Sequence, residues 1–339
     1  MRVKNLLNLT GDTLHTLPLL VLYITDGCNS RCVTCDIWHN PRRNMPLALA
    51  ESIAETCAEL GVRWVLISGG EAMQHPEWDT IAQMFAQHDV HVMLLTNGLL
   101  LKKQYQRVID SVDELIVSLD GGTVETYEAI RGVDAFDLIL EGMTQIAQAG
   151  IPVTTRTTVQ QSNFREIPQL IDTAVAHGVS TVSFLAVDVN SSEAFGSRDD
   201  SMMTGALTLS EADELQQVIE ALEQSHASYF ANGTIAESPQ KLQNNLTEYF
   251  RYLHGAGTYQ SPRCNAPHFS TVIEVDGRLR PCYFLPVYGR LQPEGERLPQ
   301  AINWDVARDL RRAYRTGQRA ECKTCVCPLY KGPRGLMRM

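Results

Sequence analysis

Between residues 17 and 187 the chain alternates short apolar runs rich in β-branched residues with longer amphipathic segments. That alternation restricts the fold more than any other feature. A short apolar run closed by turn residues reads as a buried strand, and apolar residues recurring at helical spacing read as a helix packed along one face. The strands fall at 17–24, 64–67, 91–95, 114–119, 152–159 and 181–187. Helices fall between them at 47–60, 76–88, 102–111, 124–130, 136–149 and 164–177. Repeated βα units build a parallel sheet, so the expected fold class is α/β: a partial (βα)6 barrel of the TIM type, with its site at the C-terminal ends of the strands. Cys57 shares the helical spacing of Ile53 and Leu60 and reads as a core thiol.

The rest of the chain divides around that core. Residues 1–16 form a short lead, read as a strand or cap, and 17–189 form the barrel. Residues 190–260 are a linker and helical segment. Its first part, 190–206, is rich in Ser, Asp, Gly and Met and lacks periodicity, as a linker or mobile loop would. Amphipathic helices follow at 207–224 and 241–253, the second carrying Tyr249, Phe250 and Tyr252 as packing residues. Residues 261–339 read as a small α+β domain. It opens with a hairpin of 269–275 and 278–283 about Asp276-Gly277, a pair that favours the tight turn matching strand twist. A basic helix is expected at 301–316.

With 339 residues, 44% of them hydrophobic and 20% charged, the chain can bury a sizeable core. A formal charge of −10 argues against non-specific nucleic-acid binding, which needs a basic footprint. Arg2 and Lys4 could open a signal peptide, but Gly11-Asp12-Thr13 and His15 interrupt the apolar stretch, and 17–24 is too short to cross a bilayer. Of the nine cysteines, all but Cys57 lie in two groups near the ends of the chain. Clustered, unpaired thiols suit metal binding in a reducing compartment better than a disulfide framework, so a cytoplasmic protein is expected.

The first group, Cys28-Asn29-Ser30-Arg31-Cys32-Val33-Thr34-Cys35, follows the first strand directly as C-x3-C-x2-C. Three thiolates so close can converge on one soft metal centre, and an iron-sulfur cube held by three leaves one iron open to a ligand that is not protein. A zinc site with His39 as a further ligand, and a set of free buried thiols, are the competing readings. The second group is Cys264, Cys282, Cys322, Cys325 and Cys327, in which Cys322-x2-Cys325 suits a cluster or a zinc ribbon equally. His254 and His268 read as surface or packing residues.

C-x3-C-x2-C after a first strand resembles the signature of the radical S-adenosylmethionine (SAM) superfamily. The resemblance implies a 4Fe-4S cluster on Cys28, Cys32 and Cys35 whose fourth iron is chelated by SAM, and reductive cleavage of SAM to a 5′-deoxyadenosyl radical. Gly69-Gly70-Glu71 then resembles the family segment that holds the SAM amino group, although Ala72 stands where Pro is frequent. Ser118 and Asp120 are implied as ribose or substrate contacts, the alternative being a helix N-cap at Asp120 or Thr123. Thr96-Asn97-Gly98 resembles a recurring family turn, and Arg156 could pair with the SAM carboxylate or face solvent. Cys264, Gly277-x4-Cys282 and Cys322-x2-Cys325 resemble the SPASM/Twitch auxiliary-cluster domain. With five cysteines instead of seven, the count implies one auxiliary 4Fe-4S cluster on Cys264, Cys282, Cys322 and Cys325, with Cys327 a spare thiol or replacement ligand. The implied activity is that of an oxidoreductase or tailoring enzyme fed by a flavodoxin- or ferredoxin-type reductant. The short N-terminus suggests a small-molecule substrate, with a peptide presented by a separate leader-binding partner as the alternative.

Overall fold

The computed structural model describes residues 2–191, 193–196, 205–292 and 295–338. Residue 192 and residues 197–204, within the expected linker, lie outside the described residues. The expected strands form as β1 (Leu19–Tyr23), β2 (Trp64–Ser68), β3 (His91–Thr96), β4 (Glu114–Ser118), β5 (Val153–Val159) and β6 (Thr181–Ala186). They lie in consecutive order, each parallel to the next, as a series of βα crossovers produces. Leu20, Leu22, Val65, Ile67, Val92, Leu94, Leu115 and Val117 point to one face of the sheet and are wholly buried under the helices. Alternate residues, among them Tyr23, Ser118 and Arg156, point to the half-buried inner face.

The covering helices bury the stripes their sequences predict. Phe136–Gln148 presents Phe136, Ile139, Leu140, Met143 and Ile146, and Ile167–Ala176 presents Ile167, Leu170, Ile171 and Ala174. The helix expected at 47–60 is instead two pieces, Leu47–Ala54 and Cys57–Leu60. At the break the Thr56 hydroxyl donates to the Ile53 carbonyl at 2.7 Å, the competition with helical bonding that threonine brings. Cys57 is a core residue, 1% exposed. The helix expected at 241–253 is Pro239–Leu242 and Tyr249–Leu253 joined by a π-helical turn, Gln243–Glu248. Residues 234–236 cover the free edge of β6, where Val182 N–H donates to Thr234 O and Ala236 N–H to Val182 O.

The lead is a helix and not a strand: Arg2–Leu7 packs on the C-terminal helix Pro333–Arg338, and Asn5 donates to the Leu336 carbonyl at 2.8 Å. The C-terminal hairpin does not make a sheet of its own. Its strands are β7 (Ser270–Ile273) and β8 (Arg278–Arg280), followed by β9 (Gly289–Arg290), and β7 runs parallel to β1. The nine strands therefore form one open sheet in the order β6-β5-β4-β3-β2-β1-β7-β8-β9. Gly277, with φ +83°, makes the hairpin turn at the expected place. Cys282 lies just beyond β8 and not within it. The first cysteine loop and the hairpin thus leave adjacent strands.

Candidate functional site

The cysteine loop is closed at its root before any cofactor is considered. Asp26 N–H donates to Arg43 O and Met45 N–H to Ile24 O, so the returning chain pairs with the end of β1. Gly70 N–H donates to Thr25 O at 2.8 Å and Glu71 N–H to Gly27 O at 2.7 Å, which ties the loop to the end of β2. Only glycine permits so close an approach: a Cβ on Gly69 would lie 2.5 Å from Thr25 O, and one on Gly70 would lie 2.4 Å from Gly27 O.

Glu71 extends the tie to β3. One carboxylate oxygen accepts from Met73 N–H and the Thr96 hydroxyl, and the other from Asn97 N–H at 2.7 Å. Burial raises its pKa, and the three donors oppose that rise. Asn97 then reaches into the loop, its amide donating to Asn29 Oδ1 at 2.8 Å and Ser30 Oγ at 3.0 Å, with Cys28 Sγ 3.9 Å away. Gly98 turns the chain at φ +85°, so the expected turn is present and its asparagine orients the loop.

The helix Val124–Arg131 holds the other side. Thr123, one of the two expected caps, accepts from Thr126 N–H. At the far end Ile130 O accepts from Val33 N–H and Arg131 O from Arg31 N–H, each at 3.0 Å. Arg131 also donates to Asp120 across 3.0 Å in an ion pair whose residues are 9% and 3% exposed. The other Asp120 oxygen accepts from Thr158 N–H at 2.7 Å. Asp120 is therefore anchored inward, while Ser118, two residues earlier, stays on the inner face beside Arg156 in register.

These ties gather the three thiols. Burial pushes the Cys28 and Cys32 thiols up and takes Cys35 to about 12; Cys28 feels Cys32, Cys35 feels both, and Arg131 acts oppositely on all three. Among the described residues no three Cys, His, Asp or Glu stand close enough to grip a single metal ion. A zinc ion would draw its sulfurs to ~2.3 Å, whereas a cube with iron at its corners takes thiolates standing farther apart. The donor set, all sulfur with a buried cation beside it, fits such a cluster. Iron binding would also displace the protons that burial holds on the sulfurs.

The five C-terminal cysteines come together as well. Burial raises Cys264, Cys282, Cys322 and Cys325, Cys282 to about 12 and Cys322 to about 11. Cys282 feels Cys264, Cys322 and Cys327, and Cys325 feels Cys327, Cys282 and Cys264. Asn265 binds the backbone of Lys331 in both directions and donates its own N–H to Leu329 O, folding the cysteine run back onto Cys264. Arg156 does not face solvent: its guanidinium donates to Cys327 Sγ at 3.1 Å, joining β5 to this group.

Between the two groups the rings of Tyr23 and Tyr283 stack with centroids 4.9 Å apart and planes within 1° of parallel. Cys35 and Cys327 both act on Tyr23. The described part of the expected linker straps this junction. Phe195 N–H donates to the Tyr283 hydroxyl, Phe195 O accepts from Asp36 N–H, and Glu193 pairs with Arg280 at 2.7 Å. Arg131, the tyrosine stack and this strap are what sequence reasoning missed, and of Asn97 it foresaw the turn but not the reach to Asn29 and Ser30. The signal available for Arg131 was faint, an arginine before Gly132 at the end of a short helix.

Fold and site together define an α/β partial-barrel protein that carries one thiol centre at the C-terminal rim of its parallel strands. The profile of the Radical SAM superfamily matches residues 22–188, and the chain belongs to that superfamily. Radical SAM proteins are enzymes that bind a 4Fe-4S cluster and SAM. An AdoMet-dependent heme synthase of Methanosarcina barkeri (strain Fusaro / DSM 804) is 30% identical over 164 residues, 46% of this chain and 47% of that protein. The matched stretch thus spans about half the length of that curated relative. Streptococcus suis SuiB, in its crystal structure bound to precursor peptide SuiA, superposes on 98% of this chain and 77% of its own with a TM-score of 0.66 at 17% identity. Native anSMEcpe with bound AdoMet superposes on 86% and 83% with a TM-score of 0.63 at 15% identity. Both likenesses concern the fold. No helix among the described residues is long and apolar enough to cross a membrane.

Proposed function

We propose that this chain is a radical SAM oxidoreductase that tailors a small molecule, with one auxiliary 4Fe-4S cluster in a Twitch-like C-terminal domain beginning near residue 261. The observation that carries the reading is the convergence of Cys28, Cys32 and Cys35 at a rim tied to the ends of β1, β2 and β3. When bound, the cluster and SAM supply a 5′-deoxyadenosyl radical that abstracts hydrogen from an unactivated C–H bond. The protein's own part is to hold and orient. Glu71 and Asn97 fix the loop, Ser118 offers a hydroxyl on the inner face for ribose or substrate, and the Gly69-Gly70 backbone lies beside the loop's root.

Cys264, Cys282, Cys322 and Cys325 would hold the auxiliary cluster, leaving Cys327 to Arg156. Cys35 and Cys327 both act on Tyr23, whose ring stacks on Tyr283, so the two cysteine groups share one aromatic junction, which suits an auxiliary cluster that accepts the electron left on a substrate radical. Arg31 and Val33, exposed on the loop, mark the side from which a flavodoxin- or ferredoxin-type reductant would approach. The heme synthase relative supports a small-molecule substrate. A peptide is the second reading, favoured by the likeness of nearly the whole chain to SuiB bound to its precursor peptide.

The test is anaerobic reconstitution followed by reduction in the presence of SAM. Formation of 5′-deoxyadenosine, lost in Cys28/Cys32/Cys35→Ala, is expected, and its absence from the iron-loaded wild type would refute the reading. Iron content should stand at about eight per chain and fall to about four in the triple variant.

A further inference from the structure

The charge placed against the first cysteine loop has no part in the function just proposed. Arg131 is 9% exposed, one guanidinium nitrogen donates to Asp120, and Nε has no hydrogen-bond partner. A guanidinium withdrawn from water is costly unless opposite charge surrounds it. Asp120 supplies only part of that compensation, because its other oxygen is taken by Thr158 N–H.

The backbone shows where the rest must come from. Arg131 O is bonded to Arg31 N–H, Ile130 O to Val33 N–H, and a Cβ on Gly132 would meet Arg31 O at 2.6 Å, so residue 131 lies on the segment around Cys32. Burial works against the charged guanidinium, and Cys32, Asp120, Tyr127 and Cys28, in that order, sustain it. The cation pairs directly with its carboxylate and lies within electrostatic reach of the sulfurs of Cys32 and Cys28.

We propose that Arg131, held in place by Asp120, is a positioning residue that raises the reduction potential of the centre at Cys28, Cys32 and Cys35. Reduction adds one negative charge to the centre, and a fixed cation in a poorly screened site favours the reduced state. Asp120 opposes this effect while anchoring the arginine, so the two members of the pair pull the potential in opposite directions. The inference rests on the proposed function, because it requires a cluster on these three thiolates.

The experiment is an anaerobic redox titration of reconstituted full-length protein, read by the electron paramagnetic resonance signal that responds to SAM. In Arg131→Gln the ratio of reduced to oxidised cluster at the wild-type midpoint should fall about tenfold, a downward shift of about 59 mV for a one-electron couple. In Asp120→Asn the midpoint should rise, and Arg131→Lys should stay near the wild type. A purely structural tie would move both neutralising variants the same way or neither, and either result overturns the inference. If Arg131→Gln fails to hold iron, the Asp120→Asn shift decides: upward supports the inference, absent or downward overturns it. A wild type with no SAM-responsive signal overturns the proposed function and this inference with it. A normal wild-type signal whose midpoint is unmoved in the variants overturns the inference alone.

Discussion

Replacing Gly70 by alanine adds one methyl group at the root of the cysteine loop, and the structure states what that methyl meets. Its Cβ would stand 2.4 Å from Gly27 O, 2.7 Å from Gly27 C and 3.0 Å from Asp26 O. All three are backbone atoms, which cannot swing aside as a side chain can. Clearing the worst contact to 3.0 Å requires a retreat of about 0.6 Å, and ordinary contact at 3.4 Å requires about 1.0 Å. The retreat falls on the same atoms that make the Gly70–Thr25 and Glu71–Gly27 hydrogen bonds, now 2.8 and 2.7 Å long. Overpacking costs about 1–3 kcal/mol, and weakening two buried backbone bonds adds up to about 1 kcal/mol each. A total of about 3 kcal/mol is roughly a 150-fold change in an equilibrium constant. We expect the urea midpoint of the cluster-free protein to fall by about 1–2 M and the iron retained at the first site to drop. Gly11→Ala, where nothing lies within 4 Å, is the control and should change stability by less than about 0.5 kcal/mol. Gly70→Ala with a midpoint and iron content equal to those of Gly11→Ala would show that the glycine pair does not set the approach of β2 to the loop.

Three further outcomes are expected. Asn97→Leu removes the donors to Asn29 and Ser30 and should cost about 1–3 kcal/mol, visible as faster loss of iron to a chelator; wild-type retention would contradict its orienting role. Cys282→Ala should cut iron from about eight to about four per chain while Cys327→Ser leaves it unchanged, and the reverse pattern would make Cys327 a ligand. His268, whose ring nitrogens lack partners, is pushed down to about 4, chiefly by burial and then by Arg311. A histidine depressed in the folded state contributes stability that is present above its unfolded value of 6.5 and is lost as pH falls toward 4. About 3 kcal/mol should vanish across that window, and His268→Phe should flatten the loss; an unchanged acid limb in a pH series of urea midpoints would refute the assignment.

The six parallel strands, the covering helices, the Asp-Gly hairpin and the core position of Cys57 were legible in the sequence, because period and turn chemistry are written within a few neighbouring residues. The same locality explains the C-x3-C-x2-C loop: three thiols so close in the chain converge wherever the loop goes. What the sequence could not state was which distant partner each exposed-looking polar residue finds. Asp120 is drawn to Arg131, Arg156 crosses to Cys327, and Asn97 leans over the cysteine loop. Likewise, nothing local places β7 beside β1 rather than in a sheet of its own, stacks Tyr23 on Tyr283, or sets Arg2–Leu7 against Pro333–Arg338. Those contacts depend on register and on which faces meet across hundreds of residues. Burial then decides their strength, because a charge or thiol withdrawn from water is governed by the few groups that share its enclosure. Sequence alone determined the strands, the helices and the thiols, and the tertiary structure decided which charges stand beside those thiols.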